Sequence, residues 1–258
     1  LVTQTHAGET GQQLLKKIKA EKAQLIAAKK LKKDKDLPPV KAEDIPFEIP
    51  AHWTWCRLGE ILNDILGGFA FDSTQYSKVE TNNQVIRLGN VKPNDLVLDA
   101  NRVFIDNLYS KEAHKAKLLK GDILITMTGT RAKRDYLFSL CLSEKDLEKK
   151  DLFLNQRVGC LRFESLIQKT FINNVLKDIR LLEPVFNSAT GAANQANIGI
   201  TALKEILIPL PPLSEQRRIV EKLESLMQTC DALEASIKSS QGQNQQLLQQ
   251  VLREALRK

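Results

Sequence analysis

Cysteine and histidine are scarce in this sequence, with 4 Cys and 3 His among 258 residues. Cys56, Cys141, Cys160 and Cys230 are widely spaced, form no C-x-x-C pair and stand among apolar neighbours. That is the pattern of reduced, buried thiols rather than of a disulfide framework or a zinc site. His6, His52 and His114 have no acid or cysteine at ligand spacing, so no metal is expected. No apolar run approaches the roughly 20 residues that span a bilayer, and no positively flanked apolar segment with a small-residue cleavage site opens the chain. The chain therefore reads as cytoplasmic, without a membrane partner. Leu1 is not an initiator Met, and the sequence reads as a piece of something longer.

Catalytic patterns are missing as well. A magnesium nuclease needs an acid and an acid-x-Lys at adjoining strand ends. Asp146 with Glu148-Lys149-Lys150 fits the letters, but it lies in the charge run Ser143 to Asp151, which reads as a solvated face. A methyltransferase needs a Gly-rich cofactor loop and a polar-Pro-Pro-aromatic loop. Leu37-Pro38-Pro39-Val40 and Leu210-Pro211-Pro212-Leu213 lack the polar and aromatic partners. No phosphate loop or zinc-deaminase pattern occurs, so the reading is a non-enzyme without a cofactor.

What is present is charge and pattern. Lys and Arg outnumber Asp and Glu by 38 to 31, which favours a polyanionic partner, and 42% hydrophobic residues suffice for an ordinary core. Glu9 to Lys33 carries Leu14, Ile18, Leu25 and Ala28 at helical spacing among many lysines, a basic amphipathic helix within a first segment, residues 1–36. Residues 37–52 are rich in proline and read as an extended linker. Trp53 and Trp55 are expected to pin that linker to the core. Residues 53–210 form the globular part. Short β-leaning runs at 85–88, 95–98, 103–105, 122–126, 137–142 and 153–163, with helical spacing over 166–186, make the fold class α+β.

The final segment, residues 211–258, is the most ordered pattern in the chain. Pro211-Pro212 cannot continue a helix, Ser214 is a good N-cap and Glu215 suits the positive helix end, so a long helix is expected from 214. Steps of four and three from Ile219 reach Leu223, Leu226, Cys230, Leu233, Ile237, Ser240, Asn244, Leu247 and Val251, so eight of ten seam positions are apolar. This is a coiled-coil stripe for pairing with another helix. Ser240 and Asn244 flank Gly242, where bending or fraying is expected.

Four stretches of the globular part carry binding chemistry. Gly67-Gly68-Phe69-Ala70-Phe71 allows a tight turn that sets Phe69 and Phe71 on one surface, either as core residues or beside a ligand. Lys111, Lys115, Lys117 and Lys120, with Arg131, Lys133 and Arg134, bracket Gly121 to Thr130, a strand followed by a loop with Thr126, Thr128 and Gly129. Small hydroxyls let such a loop press on phosphate, and arginine can pair bidentately with guanine. In Asn155-Gln156-Arg157 the amides suit adenine and the guanidinium guanine, or the three serve as framework and phosphate contacts. Asn194-Gln195-Ala196-Asn197 divides in the same way between backbone contact and turn formation.

Leu210 to Leu223, preceded by Gly191 to Ile198, resembles the end of a target-recognition domain entering its spacer helix in the specificity subunits of type I restriction-modification enzymes. Ile45 to Pro50 with Trp53, Trp55 and Leu58-Gly59, the Gly-x-Phe stretch, Gly-Asp-Ile-Leu-Ile-Thr with Gly-Thr, and Asn-Gln-Arg resemble the same family. The continuation Arg131-Ala132-Lys133-Arg134 departs from the shorter, more neutral one usual there. The resemblance implies a C-terminal half, with Leu1-Val2 as the tail of a preceding conserved region. It implies recognition of one half of a bipartite site on double-stranded DNA. The residues and the resemblance together give as the expected DNA-facing set Gly68, Phe69, Phe71, Lys120, Thr126, Thr128, Gly129, Arg131, Lys133, Arg134, Asn155, Gln156, Arg157, Gln195 and Asn197. Implied partners are methyltransferase subunits, a restriction subunit, and a second recognition half or a homodimer through the coiled coil. The competing reading is a coiled-coil oligomeric interaction protein whose basic domain binds nucleic acid without sequence preference.

Overall fold

A capping box starts the first helix, α1 (Gly11–Ala27): Gln13 N donates to Thr10 Oγ1 at 3.2 Å and Thr10 N to Gln13 Oε1 at 2.8 Å. The computed structural model describes residues 8–256, without the side chains of residues 250, 251 and 253–255. Leu1, Val2, His6 and the Val251 side chain of the seam thus lie outside the described residues. After α1 come β1 (Thr54–Arg57), α2 (Leu58–Ile61), β2 (Asp64–Leu66), β3 (Asn83–Ile86), β4 (Phe104–Ile105), α3 (Asn107–Glu112), β5 (Ile123–Thr126), β6 (Thr128–Thr130) and β7 (Ser139–Cys141). Then follow α4 (Glu144–Leu147), β8 (Asp151–Leu154), β9 (Val158–Arg162), α5 (Lys169–Val175), α6 (Ile179–Asn187), β10 (Gln195–Asn197), α7 (Ile200–Lys204), β11 (Leu207–Leu210) and α8 (Leu213–Ala255). The chain is mixed α and β with a long C-terminal helix, as its patterns indicate.

Two units divide the chain, one ending at Leu213 and one beginning at Ser214. In the first, α1 belongs to the globular body instead of standing apart as residues 1–36. Its Leu14 and Ile18 are buried, and Gly11 sits so close to the β11 end that an added Cβ would lie 2.1 Å from the Leu210 carbonyl oxygen. Its lysines are partly engaged: Lys19 pairs with Glu60 at 2.6 Å and Lys22 donates to the Gly59 carbonyl at 2.8 Å. The linker is held as expected, with Phe47 edge-on to Trp55 at 5.1 Å and Arg180 over the Phe47 ring at 4.2 Å.

The core forms around two sheets, β2-β9-β5-β7 and β4-β3-β8. Strand alternation gives the second sheet two apolar faces: Ile86, Leu152 and Leu154 join one cluster with Leu124, Val158 and Cys160, while Val85 and Phe153 join another with Ile105 and Tyr109. Burial pushes the Cys56 and Cys160 thiols well up, the behaviour of inert core cysteines. Cys230 departs from the expectation: it is exposed on α8.

Strand polarity brings distant loops to one rim. β3 and β8 run parallel, with Ile86 opposite Leu154. β2 and β5 both run antiparallel to β9, with Leu66 opposite Cys160 and Thr126 opposite Val158. The C-terminal ends of β2, β3, β5 and β8 therefore meet where β9 begins.

Several element boundaries differ from the sequence reading. Residues 95–98 make only an isolated bridge, Val91 with Leu96, and the run 153–163 breaks at Asn155–Arg157 into β8 and β9. The helical stretch 166–186 is two helices, α5 and α6, with Pro184 inside the second. The short strands β1, β2, β10 and β11 carry no alternation long enough to register.

In the second unit, α8 begins at Leu213 and runs unbroken for 43 residues through Gly242, so the expected weak point does not interrupt it. Ile219 is half-buried and Leu223 is 40% exposed, rising to 49% at Leu226 and about 60% at Leu233, Ile237 and Leu247. Gly11→Ala tests the placement of α1. Forcing a methyl against the Leu210 carbonyl should lower stability by about 1–3 kcal/mol in urea denaturation. An unchanged midpoint would detach α1 from the domain.

Candidate nucleic-acid interface

The four stretches singled out in the sequence lie side by side on this rim, joined by backbone hydrogen bonds. Phe69 N donates to Leu154 O at 2.8 Å and Gln156 N to Phe69 O at 3.1 Å, which ties the Gly-Gly-Phe turn to Asn155–Arg157. Met127 N donates to Arg157 O at 3.1 Å, and Ile198 N to Met127 O at 2.8 Å. Beyond Met127, β6 and β10 form an antiparallel ribbon with Thr128 opposite Asn197, Gly129 opposite Ala196 and Thr130 opposite Gln195. Separations of tens of residues in the chain thus collapse into one continuous strip.

Local geometry explains why these residues hold it. Gly68 has φ +71°, and a Cβ there would fall 2.3 Å from Asn155 O, so only glycine allows the approach. Arg157 has φ +80°, a conformation that costs a non-glycine residue and persists only where the surroundings over-determine it. Gly191, at φ +123°, admits Gln195 O to 2.5 Å of its would-be Cβ. The tip of the strip is stitched by Asn194, whose carbonyl accepts from Arg131 N at 2.7 Å and whose Oδ1 accepts from Ala132 N at 2.9 Å.

Within this frame the expected residues separate by availability. Thr126 is 1% exposed, and its hydroxyl accepts from Phe138 N at 3.0 Å, so it is a core residue and not a contact. Phe69 and Phe71 take the core alternative: they pack on Tyr109 with centroids 5.9 and 5.5 Å away and touch the apolar cluster below. Arg134 is engaged by Glu183 through two 2.8 Å hydrogen bonds and lies 5.0 Å over the Phe186 ring. Its hydrogen bonds hold the Glu183 carboxyl below the usual range, so this pair persists at neutral pH and is lost only as pH falls through that lowered value. Arg131 Nη2 donates to Ala189 O at 3.0 Å and Gly191 O at 3.4 Å from an exposed residue, while Lys133, Gln156 and Gln195 are exposed.

Lys120 is the clear misplacement. It stands before β5, whereas the loop follows β5, and four strand residues at about 3.3 Å each put it roughly 13 Å or more away at the opposite rim. There it pairs with Glu144 at 2.6 Å. Its neighbours are compensated likewise: Lys117 by Asp151 at 2.8 Å, Lys150 by Glu80 at 2.7 Å and Arg162 by Asp122 at 2.9 Å. On the strip, Arg87, Arg131, Lys133 and Arg157 have no carboxylate partner among the described residues. The density of basic residues along the chain therefore misleads, because it does not show which cations are paired with acids.

Sequence reasoning missed Arg87, Asn101, Asp135 and Glu183. Asp135 Oδ1 accepts from Thr130 N at 2.5 Å and Glu183 anchors Arg134, both as supports for the tip. Their signal was tertiary, since neither stands in a recognisable motif. Thr126→Val should cost about 1–3 kcal/mol, because Phe138 N–H loses its buried acceptor. Calorimetry would read the loss, and an unchanged melting temperature would return Thr126 to the surface.

Comparison with known proteins identifies the family of the chain. Residues 50–240 match the family model described as "Type I restriction modification DNA specificity domain". The chain is 32% identical over 242 residues to the EcoAI type I restriction enzyme specificity subunit of Escherichia coli, covering 93% of this chain and 39% of that protein. It is 30% identical over 246 residues to the EcoEI specificity subunit of the same organism, covering 93% and 40%. It thus spans about two fifths of the length of these curated relatives. Among solved structures, a type I restriction-modification complex is similar with TM-score 0.56 and 19% identity over 92% of this chain and 52% of that one. The HsdS subunit from Thermoanaerobacter tengcongensis is similar with TM-score 0.50 and 22% identity, over 87% and 48%. These curated relatives are specificity subunits, and no described helix is long and apolar enough to cross a membrane. A matched model over residues 50–240, on a fold shared with solved relatives, makes this chain a member of the type I restriction-modification DNA specificity family.

Proposed function

We propose that the strip built by the Gly68, Met127–Arg134, Asn155–Arg157 and Gln195–Asn197 segments binds duplex DNA and reads one half of a two-part target. The observation that carries this is the uncompensated positive charge of Arg87, Arg131, Lys133 and Arg157 on one rim, set against paired cations on the other. Exposed carboxamides at Gln156 and Gln195 beside those cations combine hydrogen-bonding groups for base edges with charge for phosphate. Thr128 and Gly129 in the ribbon offer small surfaces for close backbone approach. Methylation and cleavage belong to methyltransferase subunits and a restriction subunit, to which this chain supplies no chemistry and no cofactor. Residues 53–210 with α1 are the recognition body, and residues 211–258 the spacer helix.

Membership of a DNA specificity family supports sequence reading over a nonspecific coiled-coil module. Selection from random duplexes separates the two, since only the first yields a defined motif. Lys133→Ala should weaken binding on all sequences alike and lower the salt slope by roughly 0.9, one phosphate contact. An unchanged slope would place Lys133 on a solvated face. Arg131→Ala should cost about 1–3 kcal/mol on the preferred site and relax one base pair. A uniform loss would reassign it to phosphate.

The exposed apolar stripe of α8 supports the assembly reading: a contiguous apolar surface of that length marks an interaction face. It pairs with another such helix, either of a second recognition half or, in the isolated chain, of a second copy in a two-fold antiparallel dimer. Leu226→Asp and Leu233→Asp should each convert the dimer to monomer in sedimentation at tens of micromolar, because each sets an unpaired charge in the seam. A monomeric wild-type chain, or a dimer indifferent to both changes, would overturn this assignment.

A further inference from the structure

The tip of the strip carries Arg131, Lys133 and Arg134 within four residues, and the structure treats these cations unequally. Arg131 and Lys133 are exposed and have no carboxylate partner among the described residues. Arg134 is turned back onto the body. Its backbone is left-handed, with φ +50°, and its N–H closes a turn on Thr130 O at 2.9 Å. The side chain then lies against α6: Nη1 and Nη2 each donate to one oxygen of Glu183, both at 2.8 Å, and the guanidinium stands 5.0 Å from the centroid of the Phe186 ring. Two parallel bonds from one guanidinium fork to one carboxylate fix direction as well as distance. Arg134 therefore commits to Glu183 the donors that a phosphate would take.

The charge of the tip follows from this pairing. Asp135 is the other acid there, and its Oδ1 accepts from Thr130 N at 2.5 Å. Arg131, Lys133 and Arg134 with Asp135 and Glu183 make three cations against two carboxylates, a net charge of +1 that loss of the Glu183 charge would double. Arg134 and Glu183 are each 44% exposed, so their pairing adds little to stability. Its effect is on binding, because the sequence-independent part of DNA affinity grows with the number of phosphates that cations neutralise. We propose that Glu183 is a charge brake on the strip: it holds Arg134 off the phosphates, so that the domain binds every duplex less tightly than its basic tip would otherwise allow. The inference rests on the DNA-binding reading above and names the residue that limits its electrostatic part. Glu183 acts on all sequences alike, because its target is a guanidinium and not a base. The acid comes from α6 and the cations from the connection between β6 and β7, so the brake exists only in the folded chain.

The test measures binding of the full chain across a salt series, on the duplex it selects and on an unrelated one, with two variants that separate charge from geometry. Glu183→Gln keeps the side-chain length and removes the charge. It should tighten binding to both duplexes and steepen the salt slope by roughly 0.9, so that its advantage over wild type grows roughly eightfold for each tenfold dilution of salt. Glu183→Asp keeps the charge but is one methylene shorter, too short for both hydrogen bonds. It should keep the wild-type slope on both duplexes. Both variants should melt with the wild type, since an exposed pair adds little to stability. If Glu183→Gln has the wild-type affinity and slope, the brake is wrong while the DNA reading stands. Equal weakening by Gln and Asp would also overturn it, and would make Glu183 a geometric anchor of the loop. If the wild-type chain binds no duplex, both readings fall.

Discussion

The polarity of β9 is the constraint on which the rest of the globular unit depends. It lies between β2 and β5 and runs antiparallel to both, so its first residues, Val158 to Cys160, mark the place where both neighbours end. The Asn155–Arg157 turn feeds it from β8, and the parallel pairing of β8 with β3 adds a further strand end, at Ile86. Because parallel strands end on the same side and antiparallel neighbours exchange ends, one turn gathers loops from four strands. Arg157 accepts a left-handed backbone to make that turn, a local cost borne by the packing of Leu154, Val158 and Cys160 beneath it.

Charge is distributed along the same axis. At the rim where β5 and β8 begin, Lys117, Lys120, Lys150 and Arg162 are each matched by a nearby carboxylate. The rim where they end leaves arginines and a lysine unmatched. Exposed pairs of this kind contribute little to stability. Their effect here is on the field, since they offset part of the positive charge on one side of a basic protein.

The long helix is governed by a different term. Its apolar seam was visible in the sequence from Ile219 onward, and the structure leaves those residues largely open from Leu223 to Leu247. Burial of such a stripe needs a complementary helix.

How much was legible from the sequence follows from the range of the forces involved. The caps and prolines around Ser214, the seam of α8, the linker held by Trp55 and the apolar strands at 123–126 and 152–154 are short-range or periodic signals, and a linear reading recovers them. So are the candidate stretches, because glycine pairs, hydroxyl-rich loops and clustered carboxamides are unusual locally. Which of their members face outward was not legible. Thr126 was lost to the core by its bond to Phe138, Arg134 was claimed by Glu183, and Lys120 was carried to the far rim by the direction of β5. Arg87 came into the site from a strand that read only as core. Sequence by itself determined the long helix, the apolar strands of the core, the seam and the set of chemically competent segments, because these depend on neighbours a few residues away. Only the tertiary structure decided which segments adjoin and which charges are cancelled, because strand polarity and ion pairing join residues that the chain keeps dozens of positions apart.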